Sequence, residues 1–273
     1  MLLSVRHTTR QEYAPAAATA AFRLKLCPPN TSAQKLIDWQ VRVNGNAVSP
    51  LLTDALGNRV ALWHAHVETA LIEIVAEGQI QTTDVSGVLA GISEAARPQM
   101  CLRQTPLTMP DEKLQSLAQE VDGDNPLAKL HALSEAIHAA IDYRPGATTP
   151  ATSAAEAAAI GAGVCQDHAH IFIACCRALE IPARYVAGYL ADFDGELRVG
   201  EQTHAWAEAH VPGLGWVGFD VTNQLCPTDA YIRLAAGLDA DDAALVRGVV
   251  GGQADQKLSV DVLIEQSQSQ SQA

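Results

Sequence analysis

The chain has 273 residues, of which 48% are hydrophobic and 18% charged, and this composition is typical of a folded globular protein. Its length allows one large domain or two smaller ones, and we expect two. The formal net charge of -13 argues against a nucleic-acid partner, because binding to a phosphate backbone depends on clustered Lys and Arg side chains.

Residues 1–13 lack the basic segment and the following apolar run of a secretory leader. No window of the sequence reaches the length of a membrane span, so we expect no membrane partner and a cytoplasmic location. Six cysteines are sparse for a chain of this length, and we expect reduced thiols. A structural disulfide among Cys27, Cys101 and Cys226 is the alternative.

Short runs of alternating apolar residues occupy positions 2–84 and predict β-strands, for example at 22–26. Turn residues separate the runs, and Asn44-Gly45 between two short apolar segments is the clearest hairpin signal. Several short strands with regular turns favour a β-sandwich, which we assign to residues 1–95.

A proline-containing connection covers residues 86–110, and apolar residues follow it at helical spacing. This spacing predicts a helix that ends near Tyr143 and a short Ala-rich helix that ends at Ile160. We assign residues 110–262 to a second domain and the Ser/Gln-rich residues 263–273 to a disordered tail.

A further helix is predicted to begin at or beside Cys165, directly after the Gly-rich segment 161–164. A helix N-terminus presents unpaired N–H groups and the positive end of the helix dipole, and both lower the pKa of a thiol. Because a thiolate attacks carbonyl carbons, Cys165 is a candidate nucleophile. A buried structural cysteine is the alternative for this residue taken alone.

Strands are predicted after this helix, and those at 203–211 and 216–221 would form a hairpin that turns near Pro212. In that register His204 lies directly opposite Asp220. Directly opposed residues have Cβ atoms about 4.5–5.5 Å apart, so the carboxylate could hydrogen bond one imidazole nitrogen and leave the other for a thiol. An exposed His/Asp pair on a sheet face is the alternative.

A cysteine at a glycine-flanked helix start, with His and Asp across one hairpin, supplies a nucleophile, a base and a residue that orients the base. The segments that carry these residues closely resemble those of the bacterial transglutaminase-like family of candidate cysteine proteases: GVCQDHAH at 163–170, RALEIPARYVAGYL at 177–190, HAWAE at 204–208 and GWVGFDVTN at 215–223. The resemblance implies an α+β protein, with an N-terminal β-sandwich before a papain-like/transglutaminase core whose helices pack on an antiparallel sheet.

By the same resemblance, Cys165 is the nucleophile, His204 the general base and acid, and Asp220 the residue that orients His204. Two positions depart from the family pattern. Val221 stands where the family usually has proline, and we expect altered local backbone without lost chemistry. His168 stands where phenylalanine is common, and we expect a changed wall of the site.

Two further residues are weaker candidates for the site. Tyr143 occupies a position where similar cores often carry an aromatic residue, and its hydroxyl could join the backbone N–H of Cys165 in stabilising an oxyanion. A packing role is the alternative for this tyrosine. Trp206 shares a strand face with His204 and Glu208 by alternation, which favours a place at the site over one in the core.

The histidines near the candidate nucleophile do not predict a metal site. His168 and His170 lie three and five residues after Cys165, a spacing that does not converge on a helix, and no second ligand pair completes a zinc site. The sequence also lacks an Asp-x-Asn-x-Asp loop for calcium, so we expect neither a metal nor a cofactor.

These residues predict an enzyme that attacks amide carbonyls of a peptide or protein substrate and forms a thioester. Water as the acceptor makes it a protease or amidase, whereas an amine acceptor makes it a transglutaminase or an amide ligase. We favour hydrolysis and keep amine transfer as the alternative, since water exclusion and acceptor binding decide between them. A catalytically silent binding module is a weaker alternative, because all three triad residues are present.

Overall fold

The computed structural model describes residues 1–65, 68–191, 203–252 and 255–266. Its strands are β1 (Leu2–Ala17), β2 (Thr19–Cys27), β3 (Gln34–Val43), β4 (Asn46–Ala47), β5 (Leu52–Thr53), β6 (Arg59–Ala65), β7 (Thr69–Thr82), β8 (Val88–Leu89), β9 (Asp142–Tyr143), β10 (Ala162–Gly163), β11 (Ala183–Leu190), β12 (Thr203–Val211), β13 (Gly215–Phe219), β14 (Tyr231–Gly237), β15 (Val246–Gly251) and β16 (Asp255–Gln266). Its helices are α1 (Glu112–Glu120), α2 (Pro126–Ala140), α3 (Ala154–Ile160), α4 (Cys165–Ala178) and α5 (Ala240–Ala243), with 3₁₀ turns at Pro98–Leu102 and Pro106–Thr108. Within the described ranges, none of the helices has the length and apolar character needed to cross a bilayer.

Two antiparallel sheets pack face to face and form a β-sandwich, as predicted. One sheet has the strand order β16-β1-β7-β3-β4 and the other has the order β15-β2-β6-β5. Apolar side chains from both sheets fill the space between them and are at most 5% exposed, including Phe22, Leu24, Val43, Ile72 and Ile74. The alternation of apolar residues in this part of the sequence therefore reflects one buried face on each sheet.

The hairpin predicted at Asn44-Gly45 is present as a two-residue turn. Val43 pairs with Asn46 across it. Asn44 and Gly45 have φ angles of 48° and 78°, both in the left-handed region that Asn and Gly tolerate. The local turn chemistry was therefore sufficient to locate this hairpin.

The last two strands belong to the sandwich, which corrects the predicted limits of the second domain. β15 pairs with β2 and β16 pairs with β1, so residues 246–262 are not part of the core. The predicted disordered tail at 263–273 begins inside β16, and Gln266 is still paired with Leu3. Every second residue from Leu258 to Ile264 is apolar, which is the pattern of a strand. The Ser/Gln-rich sequence that follows led us to assign the end of this strand to a disordered tail. Residues 267–273 lie outside the described residues.

The second unit is built on an antiparallel sheet with the strand order β14-β11-β12-β13-β8. Helix α4 packs across β11 and β12, with α1, α2 and α3 around it. Its side chains are buried on nearly every face, as at Ile171, Phe172 and Ile173, each 0% exposed. The edge strand β8 comes from the segment 86–110, so this predicted connection also completes the core sheet.

Several core elements match their predicted positions. The strands β11 and β12 and the start of α4 at Cys165 lie where the sequence places them, and α3 ends at Ile160. Ser153 and Glu156 form the capping box at the start of α3. Helix α2 ends at Ala140, before the predicted position, and Tyr143 lies in β9.

Candidate active site

The start of helix α4 is held by a network that places Cys165 at its first turn. Asp167 accepts hydrogen bonds at Oδ2 from the backbone N–H of Val164, at 2.8 Å, and from Thr148 Oγ1, at 2.6 Å. A Cβ on Gly163 would lie 2.6 Å from the same carboxylate oxygen, so glycine leaves the space that this cap needs. The local sequence thus fixes the helix end at which Cys165 lies.

The hairpin of β12 and β13 has a register two residues away from the predicted one. Ala207 pairs with Phe219 and Val211 pairs with Gly215, because the turn extends from Pro212 to Leu214. The prediction that histidine 204 lies directly opposite aspartate 220 is therefore wrong. A shift of two residues preserves the face on which each side chain lies, and the pair meets diagonally across the strands.

His204 connects the sulfur to the carboxylate. Its Nε2 lies 2.6 Å from Asp220 Oδ2, which leaves Nδ1 as the ring nitrogen available to the thiol of Cys165. Burial favours the neutral imidazole, but the hydrogen bonds to Asp220 and Cys165 outweigh it and raise the pKa of His204 to about 10. The imidazole is therefore protonated at neutral pH, the state that stabilises a neighbouring thiolate.

Asp220 is 0% exposed and its carboxylate accepts several hydrogen bonds. Besides His204, the donors to Oδ2 are Tyr231 OH at 2.6 Å and Asn223 Nδ2 at 2.7 Å, and Oδ1 accepts from the Asn223 backbone N–H at 3.2 Å. Burial raises the pKa of Asp220, but the hydrogen bonds from His204, Tyr231 and Asn223 outweigh it and hold the pKa below its usual value. Asp220 thus supplies the negative charge in the arrangement of Cys165, His204 and Asp220.

His168, which we expected to change the wall of the site, is buried and supports the site from inside the protein. It is 1% exposed, and its Nε2 lies 3.1 Å from the carbonyl oxygen of Ile141. A carbonyl only accepts, so Nε2 carries the proton and Nδ1 accepts from Thr222 Oγ1 at 2.9 Å. Burial lowers the pKa of His168. His168 therefore anchors the segment after Asp220, in which Val221 is 2% exposed.

The two weaker candidates lie near different members of the predicted triad. Trp206 is 2% exposed and its ring lies against that of His204, with centroids 6.3 Å apart. Tyr143 is 46% exposed and pairs with Gly163, two residues before Cys165, in the parallel ladder of β9 and β10. Both residues are therefore close in the fold to the predicted triad, and their roles stay predictions.

Glu208 lies on the same strand face as His204 but serves a different arrangement. It accepts hydrogen bonds from Arg184 Nε at 2.6 Å and from Arg233 Nε at 2.8 Å, and all three side chains are buried. Arg184 also contacts Glu94 at 2.5 Å. This ion-pair network meets β12 at Glu208, four residues along the strand from His204.

The six cysteines are free thiols, so the alternative of a disulfide among Cys27, Cys101 and Cys226 is not realised. Cys165 and Cys226 are partly exposed, and the other four are buried. Across the part of the chain that the structure describes, His, Cys, Asp and Glu side chains form no group of three that could hold a metal ion.

A helix that begins at a cysteine and packs on an antiparallel sheet bearing a His/Asp pair defines a transglutaminase-like fold. The family model of the transglutaminase-like superfamily matches residues 115–221, and that of the bacterial transglutaminase-like N-terminal region matches residues 3–81. The two matches together cover most of the chain and place a transglutaminase-like core after this N-terminal region. The resemblance found in the sequence is thereby confirmed.

Solved and curated relatives are similar to this chain over most of their length. A candidate cysteine protease from Cytophaga hutchinsonii is 25% identical with a TM-score of 0.75, and the match covers 98% of this chain and 92% of that chain. An uncharacterised protein of Mycobacterium tuberculosis is 28% identical over 271 residues, covering 90% of this chain and 86% of the relative. One of Mycobacterium leprae is 26% identical over 281 residues, covering 96% and 97%.

Proposed function

We propose that this protein is a cysteine hydrolase that cleaves peptide or side-chain amides through a thioester on Cys165. The observation that carries the proposal is the 2.6 Å hydrogen bond between His204 and Asp220, with Cys165 near enough to His204 to raise the pKa of its imidazole. These are the groups that activate a thiol nucleophile, and they meet at a helix start. The likeness to the candidate cysteine protease of Cytophaga hutchinsonii supports the same class of reaction.

Acylation uses the proton that His204 holds. The Cys165 thiolate attacks the amide carbon, a C–S bond forms, and the carbonyl oxygen becomes an oxyanion. When the oxyanion collapses, the C–N bond breaks and His204 gives its proton to the leaving nitrogen, so the amine departs neutral. Asp220 keeps the imidazole oriented and stabilises its positive charge before this transfer.

The oxyanion needs hydrogen-bond donors near the sulfur. Cys165 is the first residue of α4, so its backbone N–H has no partner within the helix and is available for this role. Tyr143 is our second candidate donor, because the β9–β10 ladder holds it beside Gly163.

Deacylation determines which product is formed. Neutral His204 removes a proton from water, the resulting hydroxide attacks the thioester carbon, and the C–S bond breaks to release a carboxylic acid and the Cys165 thiolate. An amine in place of water would yield a new amide by the same steps. We propose water as the acceptor and a peptide or protein amide as the substrate.

The proposal is tested by the pH dependence of iodoacetamide labelling at Cys165, followed by mass spectrometry. We expect labelling at pH 6–7 that is faster than at Cys226 by about tenfold or more, since His204 stabilises the thiolate. Cys226 is the matched control because it is also partly exposed, and burial raises its pKa. Burial also raises the pKa of Cys175 to about 12, so it serves as a slow internal reference.

The variant His204→Ala should bring the labelling rate of Cys165 down to that of Cys226. Equal rates at Cys165 and Cys226 in the wild type, or a Cys165 rate indifferent to the variant, would contradict the proposed nucleophile. Incubation of wild type with a peptide-amide library, with and without a fluorescent primary amine, then identifies the acceptor. Free acid as the product supports hydrolysis, whereas incorporation of the amine identifies an acyltransferase.

A further inference from the structure

The carboxylate of Asp220 is held by a residue from outside the β12–β13 hairpin. Tyr231 is the first residue of β14, and its hydroxyl donates to Asp220 Oδ2 at 2.6 Å. In the core sheet, β14 is separated from β12 by the whole of β11. Asn223 also bonds this carboxylate, but it lies only three residues from Asp220 along the same segment of chain. Tyr231 is therefore the donor that joins the loop of Asp220 to the far side of the sheet.

We propose that Tyr231 is a positioning residue of the active site, which aims the Asp220 carboxylate at His204 and keeps it ionised. This inference rests on the proposed function, because it assigns Tyr231 a part in the same series of hydrogen bonds. Neither the sequence pattern nor the resemblance to the family pointed to this residue.

The ring of Tyr231 is fixed by packing on two sides. It is 6% exposed and stands edge-on to His204, with centroids 5.9 Å apart, and to Trp206, with centroids 5.4 Å apart. Gly188 on β11 makes this contact across the sheet possible, since a Cβ there would lie 2.6 Å from the Trp206 ring. A rigid ring places its hydroxyl at one point, so the hydrogen bond to Asp220 has a defined direction.

The hydroxyl of Tyr231 stays protonated. Burial raises its pKa, and the negative charge of Asp220 raises it further. Tyr231 therefore remains a donor over the whole pH range in which an enzyme works. The titratable groups that face the Asp220 carboxylate are His204 from β12, Tyr231 from β14 and His168 from α4, and Cys226 faces Tyr231.

The same hydrogen bond favours the charged form of the carboxylate. Asp220 is fully buried, and burial alone would favour the neutral acid, which no longer stabilises an imidazolium. Three donors on Oδ2, from His204, Tyr231 and Asn223, oppose that effect. Removing the Tyr231 hydroxyl takes away the donor that comes from a separate strand, so Asp220 should gain its proton at a higher pH.

The test compares Tyr231→Phe with Tyr189→Phe. Tyr189 is a matched control, because it is a fully buried tyrosine of the same sheet whose hydroxyl bonds His7 Nδ1 at 2.7 Å, away from the triad. The rate of Cys165 alkylation by iodoacetamide is measured from pH 4 to 9. We expect the acid limb of the profile to move up by about one pH unit in Tyr231→Phe and to keep its position in Tyr189→Phe.

A second readout does not depend on reactivity of the thiol. Selective ¹³Cγ labelling of aspartate allows the ionisation of Asp220 to be followed by NMR in the same three proteins. A midpoint of the Asp220 titration that rises only in Tyr231→Phe supports the inference, even when Cys165 proves unreactive and the proposed function is wrong. A midpoint that is equal in wild type and Tyr231→Phe overturns it, even when fast alkylation upholds the proposed function.

Discussion

The guanidinium carbon of Arg184 lies over the indole ring of Trp216, 3.8 Å from its centroid. The same indole donates from Nε1 to Glu94 at 2.8 Å, and Glu94 in turn pairs with Arg184. Glu208, which lies on β12 four residues from His204, completes the arrangement by pairing with Arg184. A buried cation is thus paired with two carboxylates and an aromatic face, and one of those carboxylates lies on the strand that carries the imidazole.

Glu208→Gln should destabilise the protein strongly. The substitution keeps the shape of the side chain but leaves the charges of Arg184 and Arg233 undercompensated in the interior, and we expect a loss of roughly 3–5 kcal/mol in the free energy of unfolding. Urea unfolding measures this loss. Glu73→Gln is the control, since Glu73 forms an exposed pair with Arg10 at 2.8 Å and should cost about 0–1 kcal/mol. Similar losses in the two variants would show that the buried network contributes little.

A double-mutant cycle tests whether His168 supports the loop after Asp220 through Thr222. His168→Phe and Thr222→Val remove the same hydrogen bond from opposite sides, so the second change should cost less once the first is made. We expect a coupling of about 1 kcal/mol in the free energy of unfolding. The control cycle joins His168→Phe to Thr149→Val at an exposed site, where the two losses should add. Additive losses in the first cycle would remove the supporting role from His168.

His7 predicts a loss of stability in mild acid. It lies buried between Tyr189 OH, at 2.7 Å, and Thr9 Oγ1, at 2.8 Å, and burial lowers its pKa from 6.5 to about 4. Between pH 6.5 and about 4, the imidazole of His7 is therefore protonated in the unfolded chain but neutral in the folded protein. The contribution of His7 is complete above pH 6.5 and declines as the pH falls to about 4, by a total of about 3 kcal/mol.

The variant His7→Gln, which has no group that titrates in this range, should show a shallower decline in unfolding free energy between pH 6.5 and 4. The exposed His131 supplies the control, because His131→Gln should keep the slope of the wild type. Parallel curves for His7→Gln and wild type would mean that another group accounts for the acid sensitivity.

Local sequence signals were sufficient where one short segment determines the geometry. The left-handed residues Asn44 and Gly45 located a turn, Ser153 and Glu156 located a helix start, and the glycines before Cys165 located another. The sequence predicted the His204–Asp220 contact although the predicted register of the hairpin was wrong by two residues. Strand side chains alternate with a period of two, so a register wrong by two residues still places both on one face.

Relationships between distant segments escaped the sequence. Tyr231 bonds Asp220 from β14, which is not adjacent to β13, the strand that precedes Asp220. No sequence pattern within β14 marks Tyr231 as part of a site. Glu94 sits in a segment whose prolines indicated only a connection, yet it pairs with Arg184 in the interior. Both contacts depend on how the sheet and the connection pack in three dimensions, which alternation along one strand does not encode.

The return of β15 and β16 to the sandwich has a consequence for synthesis of the chain. β1 and β2 each have one neighbour, β7 and β6, before the core is made, and gain the second only after residue 246 has left the ribosome. Until then both sheets present an unpaired backbone edge, the feature through which nascent or truncated chains associate. The strands β15 and β16 then cover the two edges that β1 and β2 left open.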